Sequence, residues 1–192
     1  MIKLFFLSLG MIFTTPEAGV EKIDINVASS SVKWTGAKVG GSHNGAITLK
    51  SGSLAIEEGR LVGGSFVIDM TSISNEDLQG EYAGKLVGHL KSDDFFGVET
   101  YPTASFEITN VVPQGTGKYK VEGDLTIKGI TKSIKFPASV EEKDGAYVAT
   151  ADITVDRSEY NVKYGSGSFF DDLGDKVIYD DFNLSVSLTT SK

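Results

Sequence analysis

Hydrophobic and polar residues alternate along most of the chain, and the alternation is most regular over residues 118–127. A period of two is typical of a β-strand with one buried face and one solvated face. Lys128 and Gly129 follow and predict a tight turn, because glycine readily adopts the positive φ that such turns need. Residues 134–140 then predict the second strand of an antiparallel hairpin. A two-residue turn places Lys132 on the apolar face, so we expect either a longer loop or a position for Lys132 near a rim.

The same alternation recurs on both sides of this hairpin and indicates eight to ten strands. The other strands are predicted around residues 23–27, 32–34, 54–56, 60–70, 104–108, 145–155 and 182–188. Glycines at positions 36, 40, 41 and 45 predict a bend, a bulge or a point where a ligand approaches the backbone.

Residues 72–97 lack the period of two. Leu78, Tyr82, Leu86 and then His89 or Leu90 recur at helical spacing, which predicts one apolar helical face. We therefore predict a helical insert around residues 75–97, capped by Ser74 or Asn75, that lies over a sheet edge or a barrel mouth.

Many strands with one apolar face each are compatible with a sandwich or with a barrel. An eight-stranded barrel encloses at most one small ligand. The inward-facing positions are rich in large apolar residues, which suits a lipid rather than a sugar. No internal repeat or linker is visible, so residues 19–192 are predicted to form one domain.

Composition excludes several classes of function. The formal net charge is −8 and there is no run of lysine or arginine, which argues against binding nucleic acid or an anionic membrane surface. The chain has no cysteine, which excludes disulfides, thiolate metal sites and a cysteine nucleophile.

The N-terminus predicts a signal peptide over residues 1–18. Lys3 precedes the apolar run 4–13, which is too short for a transmembrane helix of roughly 20 residues. Ala18 is the best candidate for the last cleaved residue, and a hydrophobic N-terminal strand is the alternative. We expect a periplasmic or secreted protein.

Four segments in order, residues 34–47, 89–109, 119–137 and 152–165, resemble the YceI-like family. The resemblance spans about residues 23–190. It implies an extended, antiparallel, eight-stranded, lipocalin-like β-barrel with a helical insert. It also implies an exported binding protein, without catalytic activity or cofactor, that holds a polyisoprenoid, an isoprenoid quinone or a fatty-acyl amide for storage or transport.

The candidate lipid-binding residues combine inward strand positions with polar groups expected at the mouth. They are Trp34, His43, Phe66, Ile68, Leu86, Phe95, Phe106, Leu125, Phe136, Arg157, Tyr164 and Phe182. A solid core is the alternative role of the apolar members, and the resemblance favours a cavity. A polar head group is expected near His43, Arg157 or Tyr164.

Two of these predictions leave alternatives open. Arg157 is expected either to pair with Asp156 or Glu159 or to meet a ligand phosphate. The adjacent Phe95 and Phe96 are expected on a short helix with one ring inward and one outward, either as a hydrophobic plug or as a lid.

A metal site is not predicted, although histidine and aspartate pairs are present. The residues considered are His43, His89, Asp93, Asp94, Asp171 and Asp172. The two histidines lack a short ligand spacing, and acidic pairs in loops are usually solvated.

Two other functions remain as alternatives. One is a solid-core, stress-related structural or interaction protein, and the other is a lipid-acting enzyme with His43 or His89 as base. The expected partners are a lipid or isoprenoid ligand, with transient contact to a membrane or lipid donor and no nucleic acid. A homodimer is left open.

Overall fold

Nine antiparallel strands and one α-helix form within residues 19–192, the part of the chain that the computed structural model describes. The predicted signal peptide, residues 1–18, lies outside the described residues. The strands are β1 (Glu21–Asp24), β2 (Ser31–Lys38), β3 (Gly41–Glu57), β4 (Arg60–Asp69), β5 (Thr103–Pro113), β6 (Lys118–Ile127), β7 (Ile130–Lys143), β8 (Ala146–Asp156) and β9 (Ile178–Thr189), and helix α1 is Gly80–Lys91.

Eight of the strands close into a barrel, which confirms the predicted fold. Their order around the wall is β3, β2, β9, β8, β7, β6, β5 and β4, and pairing of β3 with β4 completes the ring. The long strand β3 makes this closure, because its first half pairs with β2 and its second half pairs with β4 and β1.

The β6–β7 hairpin has the predicted two-residue turn. Lys128 and Gly129 have φ angles of 50° and 73°, and Ile127 pairs with Ile130. Lys132 is opposite Leu125, as the register requires, yet its side chain is exposed. Its position next to a gap in the wall explains this exposure.

The gap lies between β7 and β8. These strands pair only from Ala138–Ala151 to Lys143–Ala146, so among residues 19–192 the first half of β7 has no hydrogen-bonded strand on that side. A 3₁₀ turn, Arg157–Tyr160, lies against β7 there, and Tyr160 is completely buried. The barrel is therefore wider at this end, which we call the mouth; the opposite end is the closed end.

Helix α1 lies at the mouth with narrower bounds than predicted. It begins after Gln79, which makes no side-chain cap, whereas the Asn75 side chain accepts a hydrogen bond from the Leu78 N–H. Tyr82 is 74% exposed, so the predicted apolar face is wrong at that position. A Lys91 ammonium bonded to the Thr71 carbonyl ties the C-terminal end of the helix to the barrel.

Three phenylalanines cross the barrel interior and form what we call the aromatic floor: Phe66, Phe106 and Phe136. The ring centroids of Phe66 and Phe106 are 6.4 Å apart, and those of Phe106 and Phe136 are 5.5 Å apart. Between this floor and the closed end, the interior is filled by buried aliphatic and tyrosine side chains.

Gly123 allows the central ring of the floor to lie flat against the wall. A Cβ atom at this position would overlap the Phe106 ring and lie 2.5 Å from the Glu107 carbonyl oxygen. Real Cβ contacts do not reach such distances, so any side chain here must displace the ring or the backbone.

We expect Gly123→Ala to lower the free energy of unfolding by about 1–3 kcal/mol, because it overpacks the floor. Gly63→Ala is the matched control: its Cβ would lie 3.5 Å from the Ala55 Cβ, an ordinary contact, and we expect a change within about 0.5 kcal/mol. Urea unfolding of both variants measures the difference. Equal losses would contradict a specific role of Gly123.

Candidate functional site

The mouth half of the barrel contains a cavity of about 360 Å³. Ile68, Ala104, Leu125 and Leu184 line it. On β4 and β5 the next inward residues toward the closed end are Phe66 and Phe106, and on β6 it is Gly123, which lies against the Phe106 ring, so the floor forms the bottom of the cavity. The volume is at the lower end of the roughly 300–1,000 Å³ of small-molecule sites.

Nine of the twelve predicted site residues line this cavity. They are Trp34, His43, Ile68, Leu86, Phe95, Leu125, Arg157, Tyr164 and Phe182. The other three are the phenylalanines of the aromatic floor, which pack against the filled half rather than line the cavity.

Sequence analysis missed a further set of apolar lining residues on the strands, on α1 and at the 3₁₀ turn that follows β4. They include Ile47, Met70, Ile73, Leu90, Ala104, Ile127 and Leu184. Most occupy inward positions of the alternating pattern, so the pattern contained the signal. It did not show at which level of the barrel the packing stops.

Phe95 and Phe96 both face inward, which corrects the prediction of one inward and one outward ring. They lie in a turn after α1, where Lys128 donates to the Phe95 carbonyl at 2.7 Å. Phe95 packs edge-on against His89 with a centroid distance of 4.9 Å, and Phe96 packs edge-on against Phe182 at 6.3 Å. Both rings cover the cavity from above.

Arg157 is a structural clamp with 4% of its surface exposed. Its guanidinium donates to the carbonyls of Val162, Ile178 and Tyr179 at 2.7, 2.9 and 3.2 Å. Its charge partner is Asp180, with Nη2 3.3 Å from Oδ1, rather than the expected neighbouring acids. Burial lowers the pKa of Arg157, and the Asp180 carboxylate opposes that shift. The clamp fastens the segment after β8 to the start of β9.

His43 on β3 forms a close pair with Asp77 in the segment before α1. The Nδ1 atom of His43 lies 2.8 Å from Oδ2 of Asp77. Oδ1 of Asp77 accepts from the Asn44 backbone N–H at 3.0 Å and from the Asn75 side-chain amide at 2.5 Å. The hydrogen bond with His43 is the main reason that the pKa of Asp77 falls from 3.8 to about 2.

The segment carrying Asp77 is held against the barrel by the predicted glycine-rich corner. The Trp34 indole donates to the Ser74 carbonyl at 3.0 Å, and the Ser74 N–H donates to the Ala46 carbonyl at 3.0 Å. A Cβ atom at Gly45 would overlap that Ser74 carbonyl. Gly45 therefore makes room for the chain's own segment.

His89 also faces a carboxylate, with Nε2 3.6 Å from Oδ2 of Asp94. Neither carboxylate partner was identified from sequence. Asp77 is 34 positions from His43, and no local spacing rule connects residues on a strand to residues in a distant loop.

Two further observations concern residues 19–192 only. No group of three or more histidine, aspartate or glutamate side chains is placed to hold a metal ion. No helix in this range has the length and apolar content to cross a membrane.

We expect stability to depend on pH through Asp77. Because its folded-state pKa lies below the ordinary value of 3.8, its contribution is complete above that pH and is lost as pH falls toward about 2. Asp77→Asn should therefore flatten the decline of unfolding free energy over this range and be less stable at pH 7. Urea unfolding across pH 2–7 tests this.

Asp124→Asn is the control, because Asp124 on the outer face of β6 makes no side-chain hydrogen bond or ion pair within the described residues. We expect it to follow the wild-type profile. If Asp77→Asn also follows it, the pair contributes nothing to folding.

Comparison with known proteins gives consistent matches. The family model described as a YceI-like domain matches residues 23–190. A UPF0312 protein of Vibrio parahaemolyticus is 30% identical over 142 residues, which cover 71% of this chain and 72% of that protein.

Solved structures match the fold. The crystal structure of BcnA from Burkholderia cenocepacia has a TM-score of 0.72 at 23% identity and is matched over 87% of this chain and 99% of that one. A polyisoprenoid-binding domain from Saccharophagus degradans, implicated in plant cell wall breakdown, has a TM-score of 0.64 at 14% identity, over 90% and 99% of the two chains.

The family model covers nearly all of residues 19–192, and the closed barrel with its helical insert is the fold of the matched structures. The chain belongs to the YceI-like family.

Proposed function

We propose that this chain is an exported binding protein that holds one apolar chain in the mouth-half cavity, for storage or transport. The observation that carries the proposal is the cavity itself, which has a predominantly apolar lining beneath a partly exposed helix. The polyisoprenoid-binding domain among its structural neighbours supports the same class of ligand. A polyisoprenoid, an isoprenoid quinone and a fatty-acyl amide all provide such a chain.

The driving force for this binding is removal of hydrocarbon from water. Each buried methylene contributes roughly 0.8 kcal/mol, so about ten would contribute roughly 8 kcal/mol before the costs of association. A cavity of about 360 Å³ accepts a segment of that order. It does not accept the whole of a long polyisoprenoid while the aromatic floor is closed.

The rim of the mouth offers a surface for receiving ligand from a membrane or a lipid donor. Most of the exposed large apolar side chains lie at this end of the barrel: Val39, Tyr82, Tyr101, Tyr164, Phe169, Phe170 and Tyr179. Aromatic side chains favour the boundary between water and lipid. The formal charge of −8 disfavours an anionic surface, so we propose contact with uncharged or zwitterionic lipid.

For the enzyme alternative, each histidine has a carboxylate partner, but the pair alone is not a catalytic site. A histidine base acts with a nucleophile or an oriented water and a site for developing charge. Within residues 19–192, no serine or threonine hydroxyl bonds to the imidazole of His43 or His89. The Ser92 hydroxyl donates to the His89 backbone carbonyl, and Asp77 is the polar partner of the His43 ring. A binding role explains the same groups without further machinery.

A structural or interaction protein with a solid core would have no cavity in its barrel. This alternative fits the closed end, where buried side chains fill the interior, but not the mouth half.

Filling the cavity should abolish binding. We expect Ala104→Phe, which projects a ring into the cavity from β5, to weaken binding of a C15 isoprenoid at least about tenfold, a difference of 1.4 kcal/mol. Val112→Phe on the same strand is the control, because Val112 is 42% exposed. Titration calorimetry of both variants, after native mass spectrometry of the protein from its own host, tests the proposal. Equal affinities would place the ligand elsewhere.

The aromatic floor should set the length of chain that is accepted. We expect Phe106→Ala to extend the cavity toward the closed end, at a cost of about 3–5 kcal/mol in unfolding free energy. Affinity for fatty alcohols should stop rising at a shorter chain in the wild type than in the variant. Circular dichroism first establishes that the variant folds. A common plateau would show that the floor does not limit length.

A further inference from the structure

We propose that His43 and Asp77 form a head-group subsite that selects an uncharged ligand with a hydroxyl or amide N–H donor. The inference rests on the proposed function, because it specifies the polar end of a ligand whose apolar chain fills the cavity. It assigns His43 as the contacting residue and Asp77 as its positioning residue.

The hydrogen bond with Asp77 determines which ring nitrogen of His43 carries a proton and which one accepts a hydrogen bond. An ionised carboxylate only accepts hydrogen bonds, so Nδ1 of His43 carries its proton toward Oδ2 of Asp77. In the neutral ring, Nε2 is then the acceptor. His43 is one of the polar residues that line the cavity, and we infer that this acceptor is the atom that meets the head group of the ligand.

The orientation of the ring is set before a ligand arrives. The two hydrogen bonds that Oδ1 of Asp77 receives hold the carboxylate in place. The Glu76 N–H bonds to the Asn44 carbonyl at 3.0 Å and fixes the same segment on β3. A preorganised acceptor loses little entropy when a ligand donor meets it.

The cations around the cavity do not suit a phosphate or pyrophosphate. The Arg157 guanidinium is directed to three carbonyls and to Asp180. The Lys128 ammonium donates to the carbonyls of Asp93 and Phe95. Lys38 lines the cavity from an exposed position, where water competes for its ammonium. The carboxylates beside His43 and His89 would also repel an anionic head group.

Three probes with the same hydrocarbon chain separate these head groups: farnesol, farnesyl methyl ether and farnesyl phosphate. Farnesol offers a donor, the ether offers only an acceptor, and the phosphate offers charge. We expect the wild type to bind farnesol about tenfold more tightly than the ether, as one hydrogen bond at a partly enclosed site provides. We expect the phosphate to bind more weakly than farnesol.

Three variants test the assignment by titration calorimetry. His43→Phe keeps a ring of similar shape, and it should bring the farnesol-to-ether ratio close to one. Asp77→Asn allows the imidazole proton to move to Nε2, so the same ratio should fall. Asp124→Asn makes the same carboxylate-to-amide change on the outer face of β6, away from the cavity, and the ratio should stay near the wild-type value. Circular dichroism confirms that each variant folds.

The ratio distinguishes recognition from a purely structural role. If the pair only pinned the segment before α1, all three probes would lose affinity together and the ratio would not move; that result overturns the subsite. A wild type that prefers the phosphate, or binds alcohol and ether equally, also overturns it while leaving the proposed function intact. Failure of all three probes to bind the wild type would contradict both the subsite and the proposed function.

Discussion

The packing of Phe106 between Phe66 and Phe136 divides the interior of the barrel, and the rest of the structure depends on this division. Below the rings, the side chains fill the space between the sheet walls as in an ordinary core. Above them, the wall opens between β7 and β8 and a cavity remains. The floor in turn depends on Gly123, which lets the central ring lie against the backbone of β6. One half therefore provides stability and the other half is available for a ligand.

A barrel that opens at one end must satisfy the groups that the opening exposes. The 3₁₀ turn after β8 covers the gap with Tyr160, and the Arg157 clamp saturates three carbonyls of the segments beside it. Burial raises the pKa of Tyr160 to about 12, so its hydroxyl stays neutral there. The paired charge of Arg157 is consistent with a structural role, because an uncompensated buried charge is strongly destabilising. Arg157, whose guanidinium is chemically suited to bind a phosphate, thus has a structural role instead.

Sequence patterns predicted the fold far better than they predicted the site. The period of two located the strands and the β6–β7 turn, because a half-buried strand imposes that period wherever it occurs. The helical spacing located α1 but misplaced Tyr82, since spacing alone does not show whether a neighbour covers the face. The inward positions of Phe66 and Ile68 look alike in sequence. Only the packing across the barrel makes one part of the floor and the other part of the cavity wall.

The sequence by itself determined the strand content, the inward faces, the acidic charge and the family, because each depends on local composition or on motifs along the chain. Tertiary structure alone decided where the packing ends, which charges Arg157 meets and which carboxylate orients His43. These features join residues far apart in the chain, and their energies depend on distances and burial that barrel closure creates. No pattern along one strand contains that information.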